Sequence, residues 1–194
     1  ILFYLKPLTA YIGIASVVLY NFLYTLWWKR KMAFAAVPGA IPGALPVTLG
    51  FSIVNSEVLS PESIYLFAVM FLWQMPHFWA LAIRFKGDYT SGGFPVLPVI
   101  VGNKRTQYHI ALWTMVYGGI AVASPYFVEA RFFYLLLVIP FVVKMIWEFL
   151  KYFNSDDDKK WLPFFLWTTF SIIAFLAAPL LDKWLPFFTG QISL

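Results

Sequence analysis

The chain has 194 residues, 61% hydrophobic and 12% charged, with a formal net charge of +5 and no cysteine. Soluble domains average roughly 45–50% apolar and about 25% charged residues, so a water-soluble fold is excluded. The lack of cysteine excludes disulfide frameworks, thiolate metal sites and cysteine nucleophiles, and no basic stripe on a polar face supports nucleic-acid binding.

The chain opens on five apolar residues, Ile1 to Leu5, followed by Lys6 and Pro7. This reads as the last turns of a helix that begins upstream, and no signal-peptide pattern is present. Crossing a hydrocarbon core of about 30 Å takes roughly 20 apolar residues at about 1.5 Å each. Charge-free windows of that length run Pro7–Trp28, Met32–Ser56, Ser63–Ile83, Thr106–Val128 and Trp161–Leu181, and a sixth, Phe132–Phe149, is broken only by Lys144 and Glu148. Four residues apart, that pair can meet on one helix face. The reading is an all-α, polytopic transmembrane bundle of about six spans, one membrane domain over residues 1–194 with no linker.

If the chain threads back and forth, ten of the 14 cations fall on one side, in the segments Lys29–Lys31, Arg84–Arg105 and Lys151–Lys160. The other side has Lys6, Arg131 and Lys183, and Lys144 lies within a span. That asymmetry places the first set on the cytoplasmic or matrix side. On the far side, Ser60-Pro61-Glu62 reads as an N-cap followed by proline at the first helical position.

The segment Arg84–Arg105 combines four cations, Asp88, four glycines and two prolines. Freed backbone amides with Lys and Arg suit a phosphate, and an aspartate can hold a bridging magnesium; the alternative is a solvated, positive-inside loop. The span before it ends in the run Trp73-Gln-Met-Pro-His-Phe-Trp79, where Pro76 frees the Leu72 carbonyl and predicts a kink. If the helix continues, His77, Arg84 and Asp88 fall within about 20° of one face, with His77 on the order of 16 Å deeper than Asp88. This suggests two levels, an anion and metal site at the mouth and an aromatic chamber below with one imidazole. Imidazole also serves as a metal ligand, haem iron included; alternatively His77 is satisfied by the freed carbonyl. His109 reads as interfacial. The stretch Val37–Pro46, rich in Pro and Gly, predicts close helix approach and irregular backbone beside a cavity. Asp156 to Asp158 reads as a solvated helix cap.

Several of these motifs resemble the protohaem IX farnesyltransferases, or haem O synthases, of the intramembrane aromatic prenyltransferase superfamily. They are Pro7–Ala10, Tyr20, Tyr24-Thr25, Lys29-Arg30, Pro38–Pro46, Phe71–Ile83, Asp88-Tyr89 and Phe94–Pro98, in the family's order over roughly residues 5–105. The resemblance implies a nine-helix fold of which this chain is the C-terminal part, from the end of helix 3 through helix 9. It implies transfer of a farnesyl group from farnesyl diphosphate to a vinyl group of haem b, with magnesium, giving haem O for haem-copper oxidases. It also implies haem A synthase or oxidase assembly factors as partners, and a bacterial plasma membrane or mitochondrial inner membrane as location. Carried over by position, Asp88 helps hold magnesium, Arg84 and Lys86 bind diphosphate, Lys29, Arg30, Lys104 and Arg105 are further diphosphate candidates, and His77 approaches haem. Trp73, Phe78 and Trp79 are the aromatic faces available to an allylic cation. Two departures leave the magnesium site incomplete: the family's first acidic motif is absent, and Gly87 stands where many members carry an acid. The fragment alone is therefore expected to be inactive. A quinone-type prenyltransferase, a transporter of an anionic amphiphile and a haem-binding assembly subunit are the competing readings. A transporter predicts paired broken helices.

Overall fold

A computed structural model describes residues 2–128, 132–155 and 158–188. Among these residues every regular element is helical. After a short turn of helix at Leu2–Leu5, the elements are α1 (Pro7–Lys31), α2 (Ala36–Val54), α3 (Pro61–Arg84), α4 (Lys86–Ser91), α5 (Leu97–Val101), α6 (Asn103–Val122), α7 (Phe132–Phe153) and α8 (Trp161–Phe188). Asp156 and Asp157, two of the three aspartates read as a cap, lie outside the described residues, as does Arg131.

The six long helices form one bundle with α3 at its centre, packed against α2, α6 and α8, while α1 lies on α2 and α7 joins α6 and α8. The start of α3 follows the sequence signal. Ser60 accepts the Ser63 N–H at 3.4 Å and Pro61 takes the first helical position, where its missing N–H is harmless. Contrary to the expected irregular backbone, α2 runs unbroken through Pro42 and Pro46; α3 is likewise continuous through Pro76. Pro46 removes the N–H that would bond the Pro42 carbonyl, and the Ser16 hydroxyl on α1 donates to that carbonyl at 3.0 Å instead. Continuous proline-bearing helices give no support to a transporter built on broken ones. The irregularity lies in α1, where Leu19–Trp28 winds as a π-helix, a form that recurs at functional sites.

Contacts at the two ends agree with the cation asymmetry. Lys29 lies over the Phe94 ring, Arg84 over Trp161 and Lys104 over Phe153, so the junctions that carry them share one end of the bundle. At the opposite end Lys6 donates to Ser56. Two buried tyrosine hydrogen bonds on that half join helices. Tyr134 donates to the Ala121 carbonyl at 3.0 Å and so accepts from Tyr65, and Ser171 donates to the Thr168 carbonyl at 2.7 Å and so accepts from Tyr117.

Among the described residues, four helical stretches are long and apolar enough to cross a membrane: Pro7–Lys31, Ala36–Val54, Pro61–Arg84 and Trp161–Pro179. The protein is an integral membrane protein. The other two long helices differ from them for identifiable reasons. The polar residues of α6 are gathered in its first turns, Asn103 to Gln107, while Leu112, Met115 and Val116 farther along face outward. On α7, Glu148 is buried and joined to Lys144 at 2.7 Å and Lys151 at 3.1 Å.

Removing that carboxylate leaves two cations without their shared partner. Glu148→Gln is expected to lower stability by about 1.5–3 kcal/mol, the range for hydrogen bonds to charged groups. The lysine side chains are 41% and 43% exposed, which keeps the loss below that of a fully buried pair. Thermal melting of the detergent-solubilised protein measures it, and Lys151→Met should have a smaller effect than Glu148→Gln.

Candidate active site

On α3, residues 73, 74, 77 and 78 share one face because their spacing is one turn. That face meets α1 and α2 at a cavity of about 230 Å³, lined by Tyr20 and Tyr24 from α1, Ala36, Gly39 and Gly43 from α2, and Trp73, Gln74, His77 and Phe78 from α3. Pockets that enclose drug-sized ligands measure roughly 300–1,000 Å³, so this one is too small to enclose such a ligand whole.

The π-helical stretch brings Tyr20 and Tyr24 to the cavity with ring centres 5.4 Å apart, and Thr25 donates to the Tyr20 carbonyl at 2.9 Å across five residues. The glycines of α2 are spaces for particular side chains. A Cβ on Gly39 would collide with the Tyr24 ring, and one on Gly43 with the Gln74 amide. Gln74 crosses from α3 and donates to the Ala40 carbonyl at 3.0 Å and the Met70 carbonyl at 3.1 Å. The sequence suggests close approach of helices here; what approaches is side chains.

His77 is held on three sides. Its ring stacks between Trp73, 4.5 Å between centres, and Phe165 of α8, 4.6 Å, and its Nδ1 lies 3.2 Å from the Thr169 hydroxyl. The Trp73 indole N–H donates to the Thr168 carbonyl at 2.8 Å. The partner of the imidazole is therefore on α8, not the carbonyl that Pro76 releases. Phe165 and Thr169, 92 residues from His77 in the case of Thr169, escaped the sequence analysis; their only signal is an i, i+4 spacing shared by many buried pairs. Phe78 and Trp73 line the cavity, but Trp79 does not. One residue on from Phe78 it turns about 100° away and is wholly buried, its ring meeting those of Phe34, the half-buried His109 and Trp113.

Above the cavity, Tyr89 of α4 meets Phe78 edge-on at 6.2 Å, and Lys29 sits 4.9 Å from the centre of Phe94. Burial pushes the Tyr89 phenol above its ordinary pKa, so it remains a neutral donor. The expected loop is thus largely folded into α4 and α5, joined through Gly93 at φ +70° and followed by Gly102 at φ +84°, the left-handed region that glycine enters freely. The helix of His77 stops at Phe85 (φ −103°, ψ 28°), so the shared face extrapolated through Asp88 does not exist. Arg84 is exposed with its guanidinium 6.0 Å from the Trp161 ring, Lys86 is half-buried, and Asp88 is exposed in the first turn of α4. No ion pair joins these three among the described residues. Lys29 is half-buried, and Arg30 and Arg105 are exposed. Lys104 points to the end of α7, donating to the Phe153 carbonyl at 2.8 Å above that residue's ring.

The model of the UbiA prenyltransferase family matches residues 1–189. The chain belongs to this family. It is 52% identical over 187 residues, 96% of its length, to a protein named protoheme IX farnesyltransferase from Bdellovibrio bacteriovorus. It is 34% identical to proteins named protoheme IX farnesyltransferase 1 from Bacillus velezensis, over 81% of the chain, and Bacillus subtilis, over 82%. The chain spans 64% of the first relative's length and about half of the other two, 50% and 51%. No solved structure matches. As a UbiA-family helical bundle, the chain would meet magnesium with oxygen donors, yet no group of three or more His, Asp or Glu side chains is poised to hold a metal among the described residues. Asp88, a single exposed carboxylate, does not make a complete magnesium site by itself.

The glycine spaces can be tested directly. Gly39→Val is expected to destabilise the protein by about 1–3 kcal/mol, the usual penalty for overpacking. Gly50→Ala, with nothing within 4 Å of the added carbon, should stay neutral or gain up to about 1 kcal/mol from helix propensity. Melting temperatures of the two variants in one detergent decide the point.

Proposed function

We propose that this chain belongs to an enzyme that transfers a farnesyl group from farnesyl diphosphate to a vinyl group of haem b, forming haem O. The observation that carries the reading is an imidazole held in an aromatic cavity directly beneath a cationic, glycine-bearing segment; the names of the relatives are consistent with it. The two levels correspond to the two ends of the chemistry. Diphosphate departure needs its charge neutralised, and the allylic cation it leaves needs a water-poor, aromatic surrounding until the vinyl carbon attacks.

In this reading Arg84 and Lys86 neutralise the diphosphate, with Lys29, Arg30 and Arg105 as further cations at the same end. Lys104, engaged with the end of α7, serves the fold first. Asp88 contributes one carboxylate to a magnesium ion whose remaining ligands are not among the residues described. Tyr20, Tyr24, Trp73 and Phe78 offer ring faces to the cation, and His77 contacts the haem. All six long helices cross the membrane with the cationic end in the cytoplasm. Bacterial relatives favour the plasma membrane, where haem A synthase or oxidase assembly factors would receive the product.

Haem extracted from membranes of cells expressing the full-length gene tests the assignment. Wild type should accumulate haem O, and Asp88→Ala and His77→Ala should reduce it at least tenfold; failure of wild type to make haem O would overturn the reading. In a detergent assay, Arg84→Ala should raise the KM for farnesyl diphosphate about tenfold or more, as expected for a lost charge-assisted hydrogen bond of about 1.5–3 kcal/mol.

A further inference from the structure

The contacts of Thr169 favour one tautomer of His77. A threonine hydroxyl has one proton and two lone pairs. That proton is committed to the Phe165 carbonyl, 2.7 Å away and able only to accept. Toward His77, 3.2 Å away, the Thr169 oxygen can therefore only accept. With the hydroxyl proton on the shorter contact, Nδ1 is the protonated nitrogen and Nε2 the one with a free lone pair. Both ring faces are covered, by Trp73 and Phe165, and no hydrogen bond reaches Nε2 among the described residues. Since His77 lines the cavity, Nε2 is the polar atom it has left to offer there.

We propose that Thr169 is a positioning residue that fixes the tautomer and orientation of His77, so that its unprotonated Nε2 faces the cavity as an axial ligand to the iron of a haem-type substrate. The inference rests on the haem reading above and narrows it: His77 binds through the metal and does not donate to the porphyrin rim. Outer partners that hold the other ring nitrogen of a ligating histidine fix its tautomer and raise its basicity, and their loss typically lowers metal affinity about 10–100-fold. The cavity's other side-chain N–H donors are engaged with backbone carbonyls. Gln74 is spent on two backbone carbonyls, and the Trp73 indole on a third.

The full-length protein, purified in detergent, is titrated with ferric haem b in four forms: wild type, Thr169→Ser, Thr169→Val and His77→Ala. After reduction, resonance Raman spectra are read for the iron–histidine stretch. Wild type and Thr169→Ser should show that band, His77→Ala should lack it, and Thr169→Val should bind haem at least tenfold more weakly with a weakened or shifted band. In parallel, ¹⁵N-histidine NMR of the haem-free protein reads the tautomer without any ligand. Wild type and Thr169→Ser should hold the Nδ1–H form, and Thr169→Val, nearly the same shape, should shift toward Nε2–H. Unchanged affinity, band and tautomer in Thr169→Val would overturn the inference, as would an iron–histidine band that survives His77→Ala. If either happens while wild type still makes haem O, the inference falls alone. If wild type neither binds haem nor makes haem O, both fall.

Discussion

Inside hydrocarbon a polar group that leaves the helix ladder has no water to turn to, and leaving it unpaired costs several kcal/mol. The bundle is organised around this constraint. Pro46 takes an N–H out of α2, and Ser16 of α1 comes to the carbonyl left behind. Gln74 of α3 reaches the Ala40 carbonyl, the Trp73 indole reaches Thr168 of α8, and the Tyr134 phenol reaches Ala121. Each of these bonds joins two helices, so the same requirement that satisfies the polar groups also sets how the helices sit against one another.

The cavity follows from that arrangement. Because Gln74 must cross to α2 and Tyr24 must lie flat against it, the α2 surface opposite them has to be empty, and Gly39 and Gly43 make it so. The space that remains is bounded by rings and by the edge of one imidazole. On the other side, α8 grips the same turn of α3 through an i, i+4 pair of its own, Phe165 and Thr169, which stack on and bond to His77. The rigidity of the site is thus a matter of three helices meeting at one turn of α3, with α4 laid over the top through Tyr89.

Charge acts at a different level. The ten cations assigned to one side stay near the ends of helices, where water and headgroups solvate them, and several rest on aromatic rings: Lys29 on Phe94, Arg84 on Trp161, Lys104 on Phe153, Lys151 on Trp147. Such placement lets the aliphatic stems lie on apolar surface while the heads remain wet. Lys144, which belongs to neither side and lies within a span, is neutralised one turn away by Glu148.

The membrane class, the position of the long helices and the sidedness of the cations were legible in the amino-acid order, because bilayer thickness and charge solvation act on each stretch independently of its neighbours. The Ser60 cap was legible for the same reason, being a bond between residues three apart. The run from Trp73 to Phe78 could be singled out, and one helical turn explains why four of its members share a face. Which of them look into a cavity was not legible, and Trp79 went the other way. Nor could the order of residues reveal that α3 stops at Phe85, that prolines leave α2 and α3 unbroken, or that Thr169 stands beside His77. Those depend on what another helix brings to the same point in space, and contacts between residues 92 apart leave no periodic trace in either segment.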